Sequence, residues 1–120
     1  MKTNLQSILQ IISEYYGVSE NSIKSKTRKV KSVRARQIYF YIAYKTSGKG
    51  LAEIGKLVNR DHTTVIHGIR KIEGEIDIYQ DTFLEFKELK AKCDNKTSIA
   101  IEDVDLLQMS INYTNSFIKS

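Results

Sequence analysis

The chain has 120 residues, 41% of them apolar, and carries a net charge of +5, which allows one core and not two. No apolar run is long enough to span a membrane, and the absence of proline and of low-complexity tracts argues against disorder. The single cysteine, Cys93, excludes an internal disulfide and a cysteine-built zinc site; with no leader pattern at the N-terminus, a reduced, cytoplasmic protein is expected.

Leu5, Ile8, Leu9, Ile12 and Tyr15/Tyr16 recur at helical spacing, and Gly17 ends that helix. Ser19 to Ser22 read as the cap of a short helix around Ile23. Ser25–Lys31 is polar and basic without an apolar period, which predicts a loop. Ser32 is the expected cap of a helix running through Ala35, Ile38 and Tyr41/Ile42 to about Lys45. Residues 47–50 (SGKG) read as a turn. Leu51, Ile54, Leu57 and Val58 mark a short helix bounded by Asn59-Arg60. Asp61 is the expected N-cap of a longer one, whose Val65, Ile69, Ile72 and Ile76 form an inward stripe. A further helix covers Asp81–Cys93, Asp94–Thr97 predicts a break, and residues 102–118 predict a last amphipathic helix. The expected class is all-α.

The charge is segregated. Residues 24–71 hold 13 Lys and Arg against Glu53 and Asp61, a net +11, while residues 1–23 carry −1 and residues 72–120 carry −5. A basic middle between acidic flanks is the footprint of a polyanion site. Within it, residues 51–72 follow the helix-turn-helix plan. The second helix opens on Asp61, His62, Thr63 and Thr64, short polar side chains of the kind that reach base edges. At 100° per residue, Thr63, His67 and Arg70 lie opposite the apolar stripe, with Thr64 and Lys71 flanking. The bland reading of His62 and His67 is a pair of exposed histidines; five residues apart, with no cysteine or carboxylate beside them, they make no metal site. Lys24, Lys26, Arg28, Lys29 and Lys31 form a basic loop suited to a narrow A/T-rich minor groove, or to simple solvation. Lys45, Lys49 and the N–H groups opening the helix at Leu51 are candidate phosphate contacts, as is His67.

The stretch IGKLVNRDHTTVIHGIRKIE, preceded by EYYGVS and SKTRKV, resembles the C-terminal DNA-binding domain of the bacterial replication initiator DnaA over roughly residues 4–92. The resemblance implies a Trp-repressor-like helix-turn-helix that reads a short A/T-rich box in double-stranded DNA. It implies base contacts from Asp61, His62 and Thr63 in the major groove and from Arg28 in the minor groove. It implies backbone contacts from Lys26, Arg36, Gln37 and Thr64. Three departures stand out. The turn at Val58–Arg60 is one residue shorter than usual, with Val58-Asn59 in place of an aromatic-Gly pair, so a tilted recognition helix is expected. Gly68 replaces a usual small residue such as Ala. No GxxxxGK[ST] phosphate loop occurs, so the initiator's ATPase domain is missing and a stand-alone DNA-binding protein is expected.

The expected organisation is a DNA-binding domain over 1–93 and a C-terminal appendage over 94–120. The appendage either packs on the domain or pairs two chains through Val104, Leu107 and Ile111. No enzyme, metal or cofactor is expected, because no nucleophile–base pair, carboxylate pair or ligand cluster is visible. The rival function is a protein-interaction module of the replication machinery that keeps the fold. RNA binding is disfavoured, because Tyr39, Tyr41 and Tyr44 read as helix packing rather than a stacking platform.

Overall fold

A computed structural model describes residues 4–97; the helix expected over 102–118 and its pairing face lie outside the described residues. Six helices follow in chain order: α1 (Leu5–Tyr16), α2 (Glu20–Lys24), α3 (Val30–Thr46), α4 (Leu51–Lys56), α5 (His62–Ile78) and α6 (Gln80–Thr97). The all-α class is met. No helix among the described residues is long and apolar enough to cross a membrane.

Local signals explain most boundaries. The Asn4 carboxamide oxygen accepts from the N–H groups of Gln6 and Ser7 to open α1, and Gly17, at φ 68°, closes it in the left-handed conformation. Ser19 caps α2 through the Ser22 N–H. Asp61 caps α5 by accepting from the Thr64 N–H at 3.0 Å. That hydrogen bond is the first cause of an Asp61 carboxyl held below the usual range.

Helix α4 ends at Lys56, two residues before the expected Val58, and two boundaries differ by more. Helix α3 starts at Val30 rather than after Ser32, with Lys29 as an N-cap lacking a side-chain bond. Ser32 is buried, and its hydroxyl lies 2.6 Å from that of Ser22. Ser32 thus sits within the first turn of α3, and its hydroxyl turns to α2. Helix α6 runs through residues 94–97, where a break was expected. The Lys90–Asp94 pair at 3.3 Å, four residues apart, supports helix there.

Helix α3 is the axis of the fold. Ala35, Arg36 and every residue from Ile38 to Ala43 are buried, so apolar contacts surround it. Ile8, Leu9 and Ile12 of α1, Ile54 of α4, Val65 and Ile72 of α5, and Leu89 and Cys93 of α6 complete the core. Of the three tyrosines expected to pack, Tyr39 and Tyr41 are buried within it, whereas Tyr44 is exposed. The Tyr39 hydroxyl donates to the Ile54 carbonyl at 2.9 Å, satisfying a group that the short helix α4 leaves open and fixing α4 on α3. Arg34 ties α3 to α5 and α6, reaching Glu75 at 2.7 Å and Glu85 at 2.8 Å. Burial works against its charge, but the two carboxylates outweigh that and raise its pKa. Glu85 also accepts from the Tyr16 hydroxyl, which closes the bracket onto α1. Cys93 is fully buried, and burial pushes its thiol up to about 11, which leaves it unreactive.

Candidate nucleic-acid interface

The helix-turn-helix is built from α4, the turn at Leu57–Asp61, and α5. Its close packing depends on Gly55. A Cβ there would stand 2.4 Å from the Arg60 carbonyl oxygen and 2.9 Å from a Val65 methyl, so only glycine lets the turn fold onto α4. The Gly55 carbonyl accepts from both the Val58 and the Arg60 N–H groups. Asn59 takes the left-handed position at φ 60°, one of the few non-glycine residues that does so readily. Val58 is fully buried. Val58-Asn59 therefore does the work of an apolar anchor followed by a glycine.

Helix α5 turns its stripe inward as expected: Val65, Ile69 and Ile72 are buried and Ile76 is partly so. Gly68 joins that face because the Phe40 ring presses against it; an added Cβ would meet Phe40 Cδ2 at 2.6 Å. Asp61, His62, Thr63, His67, Arg70 and Lys71 are exposed, and Thr64 is half-buried. On this outer face the first acid after the capping Asp61 is Glu73. The outer face of α5 is thus polar, with Asp61 the one acid at its start and Arg70 and Lys71 its cations farther along.

Between α5 and the basic loop lies an open cleft of about 680 Å³. Lys26 and Arg28 line it from the loop, Gln37 from α3, and Asp61, Thr64, His67 and Lys71 from α5. Val33, Phe40 and Gly68 supply its apolar lining. The loop has internal order: the Thr27 N–H donates to the Ser25 hydroxyl and the Lys29 N–H to the Thr27 hydroxyl, each at 3.2 Å. Lys26 and Arg28 stay exposed.

Seven of the expected site residues, Arg36 among them, line this cleft; His62 and Thr63 do not, and stand exposed on the first turn of α5. Arg36 is only 7% exposed, and its Nε and Nη2 donate to the Ile23 and Ser25 carbonyls at 2.8 and 3.2 Å. It holds the loop from below rather than standing free beside it. Lys49 lies outside the cleft lining, on the turn before α4, with its ammonium 4.0 Å from Glu53. Arg34, counted among the basic residues, is absorbed by Glu75 and Glu85. The sequence reading passed over Arg60 and Asn59 as a helix boundary. Both line the cleft; Asn59 reaches across to Lys24 at the end of α2 and Arg60 to Ser25 of the loop.

A family model described as the bacterial dnaA protein helix-turn-helix matches residues 5–72, the stretch that holds the loop, the turn and most of α5. The chain belongs to this family. The chromosomal replication initiator protein DnaA of Rhodopseudomonas palustris (strain TIE-1) is 38% identical over 84 residues, covering 69% of this chain and 17% of that protein. The DnaA of Methylibium petroleiphilum is 39% identical over 75 residues, 62% of this chain and 16% of its own length. A solved structure described as a DNA replication initiation factor aligns with a TM-score of 0.63 at 33% identity, covering 74% of this chain and 29% of that one. The chain therefore spans about a sixth of the length of these DnaA relatives. The matched region runs from α1 into α5, and a family of this kind binds DNA.

Proposed function

We propose that the chain binds double-stranded DNA sequence-specifically, in the regulation of replication or transcription. The observation that carries this reading is the cleft, which sets an acid-poor helix start beside an ordered cationic loop. A cleft so built fits the phosphate strand that separates two adjacent grooves. The first turn of α5 enters the major groove, where Asp61, His62 and Thr63 meet base edges. The loop offers Arg28 to the neighbouring minor groove, where a narrow A/T-rich segment concentrates negative potential. Lys26, Gln37, Thr64 and His67 hold the intervening backbone, and Lys49 meets it outside the cleft. Arg36 acts by shaping the loop. The Asp61 carboxylate caps α5 by accepting from Thr64 and, being exposed, can also accept from a cytosine amino group. The role requires no chemistry: counterion release supplies affinity, and base contacts supply choice.

The test is a fluorescence anisotropy titration at two salt concentrations. One duplex carries an A/T-rich initiator-type box and the other a shuffled box of equal composition. Preference for the box that persists at the higher salt is the expected result. Equal and steeply salt-sensitive binding to both would remove sequence specificity, and binding to neither would remove DNA as the partner.

A further inference from the structure

Helix α2 ends at Lys24, and the carbonyls at such an end have no partner within the helix. Three side chains from elsewhere in the fold claim them. Arg36 of α3 donates to Ile23 O and Ser25 O. Arg60 of the helix-turn-helix turn donates through Nη2 to Ser25 O at 2.6 Å and through Nη1 to Lys24 O at 3.5 Å. The Asn59 carboxamide adds Lys24 O at 3.3 Å. Two guanidinium groups thus meet at one carbonyl, and among the described residues no carboxylate forms an ion pair with either. Like charges placed together at a cost in repulsion require a compensating gain. Here the gain is three carbonyls satisfied by charge-assisted bonds.

The consequence is geometric. Residue 60 immediately precedes the cap of the recognition helix, and residue 25 is the first of the basic loop. We propose that Arg60, seconded by Asn59 and Arg36, is a positioning latch that fixes the distance from the loop's Arg28 to the start of α5, and so the register between the two groove-reading elements. The proposal deepens the DNA-binding reading above and rests on it for its effect on affinity. Arg60 touches no base in this role. It acts through the loop, and a lysine cannot replace it, because one ammonium does not span two successive carbonyls as a planar fork does.

The test uses Arg60→Lys, which keeps the charge and removes the fork. Amide exchange in the free protein reads the latch without DNA. The Thr27 and Lys29 amides are expected to exchange at least about ten-fold faster, while those of Val65 to Ile72 stay within about two-fold of the unsubstituted protein. Unchanged loop exchange, or an equal rise across the whole domain, overturns the latch. With the box duplex, Arg60→Lys is expected to lose about as much affinity as Arg28→Ala, roughly ten-fold. The double variant should then bind no more than about two-fold worse than Arg28→Ala alone, because both act through one contact. Losses that multiply overturn the coupling. If the unsubstituted chain shows no preference for the box, the proposed function fails, and the exchange data still decide the latch. Should Arg60→Lys not fold, Asn59→Gly keeps the left-handed turn and deletes only the bond to Lys24 O. Its expected signature is a two- to five-fold rise confined to the loop, and no rise overturns the proposal.

Discussion

Substituting Gly68 by alanine tests how the recognition helix is seated. In an exposed helix this change would help, since alanine gains about 1 kcal/mol over glycine in a helix interior. Here the new Cβ would stand 2.6 Å from Phe40 Cδ2 and 3.4 Å from Cε2. Comfortable carbon–carbon contact is about 3.5–4.0 Å, so the ring or the helix must move by about 1 Å. Phe40 is 1% exposed, and its ring can yield only toward the cleft that it helps to line. Forcing such a contact costs about 1–3 kcal/mol. Overpacking therefore outweighs propensity, with a net loss of about 1 kcal/mol, or about 4–8 °C in Tm for a domain of this size. The double variant Gly68→Ala/Phe40→Leu should reverse the sign of the alanine effect, because the shorter side chain vacates the contact. Thermal denaturation of the four proteins in the cycle gives the coupling, expected near 2 kcal/mol in favour of the pair. If Gly68→Ala alone raises Tm, the steric argument is wrong, and Gly68 is tolerated rather than required. The same four proteins titrated with the box duplex report whether a shifted α5 loses base contacts.

Other substitutions separate the roles assigned above. Lys26→Ala should weaken box and shuffled duplexes alike and lower the slope of log K against log salt by about 0.9, whereas His62→Ala or Thr63→Ala should cost roughly 1–3 kcal/mol on the box alone; equal losses on both duplexes for all three variants would defeat the assignment. Tyr39→Phe strands the Ile54 carbonyl and should destabilise the domain by about 1–3 kcal/mol in urea titrations, and an unchanged midpoint would mean that water takes the hydroxyl's place. The carboxyl of Asp61 has its folded pKa depressed by the bond from the Thr64 N–H. The stability it adds is fully present above the ordinary carboxylate value near about 3.9 and is lost as pH falls through the lower folded value. Asp61→Asn keeps an acceptor for the cap, so Tm in that variant should fall less between pH 5 and about pH 2; identical acid profiles would show that other carboxylates govern the acid response.

The elements and much of the interface were legible because their signals are local. Gly17 and Asp61 act on their own helix ends, and the stripe Val65–Ile69–Ile72 needs only a period. What escaped depends on partners distant in sequence. Ser32 looks like a cap until Ser22 claims its hydroxyl. Gly68 looks like a lapse in helix propensity until Phe40 occupies the missing Cβ. Arg36 looks like a free phosphate ligand until the end of α2 presents two carbonyls to it. In each case the residue type was read correctly for what it does alone, and a contact formed at 10 to 28 residues' separation decided its use.

The charge count shows the same effect on a larger scale. A surplus of +11 over residues 24–71 suggests a uniformly cationic face, yet the fold divides those charges by chemistry. Arg34 is committed to two carboxylates, and Arg36 and Arg60 to backbone carbonyls. Each of the three holds at least two partners at once, which a branched planar cation does at less entropic cost than an ammonium on a flexible stem. Lys26, Lys29 and Lys31 are exposed around the loop, and Lys71 lines the cleft within 3.3 Å of Glu75. Of the arginines in this stretch, Arg28 and Arg70 remain exposed. A binding field built this way has a rigid component and a solvated one. Removing a loop lysine subtracts one phosphate contact and leaves the geometry intact. Removing Arg36 or Arg60 leaves the phosphate contacts available and changes where the loop holds them. Salt dependence and specificity should therefore respond to different residues within the same basic segment.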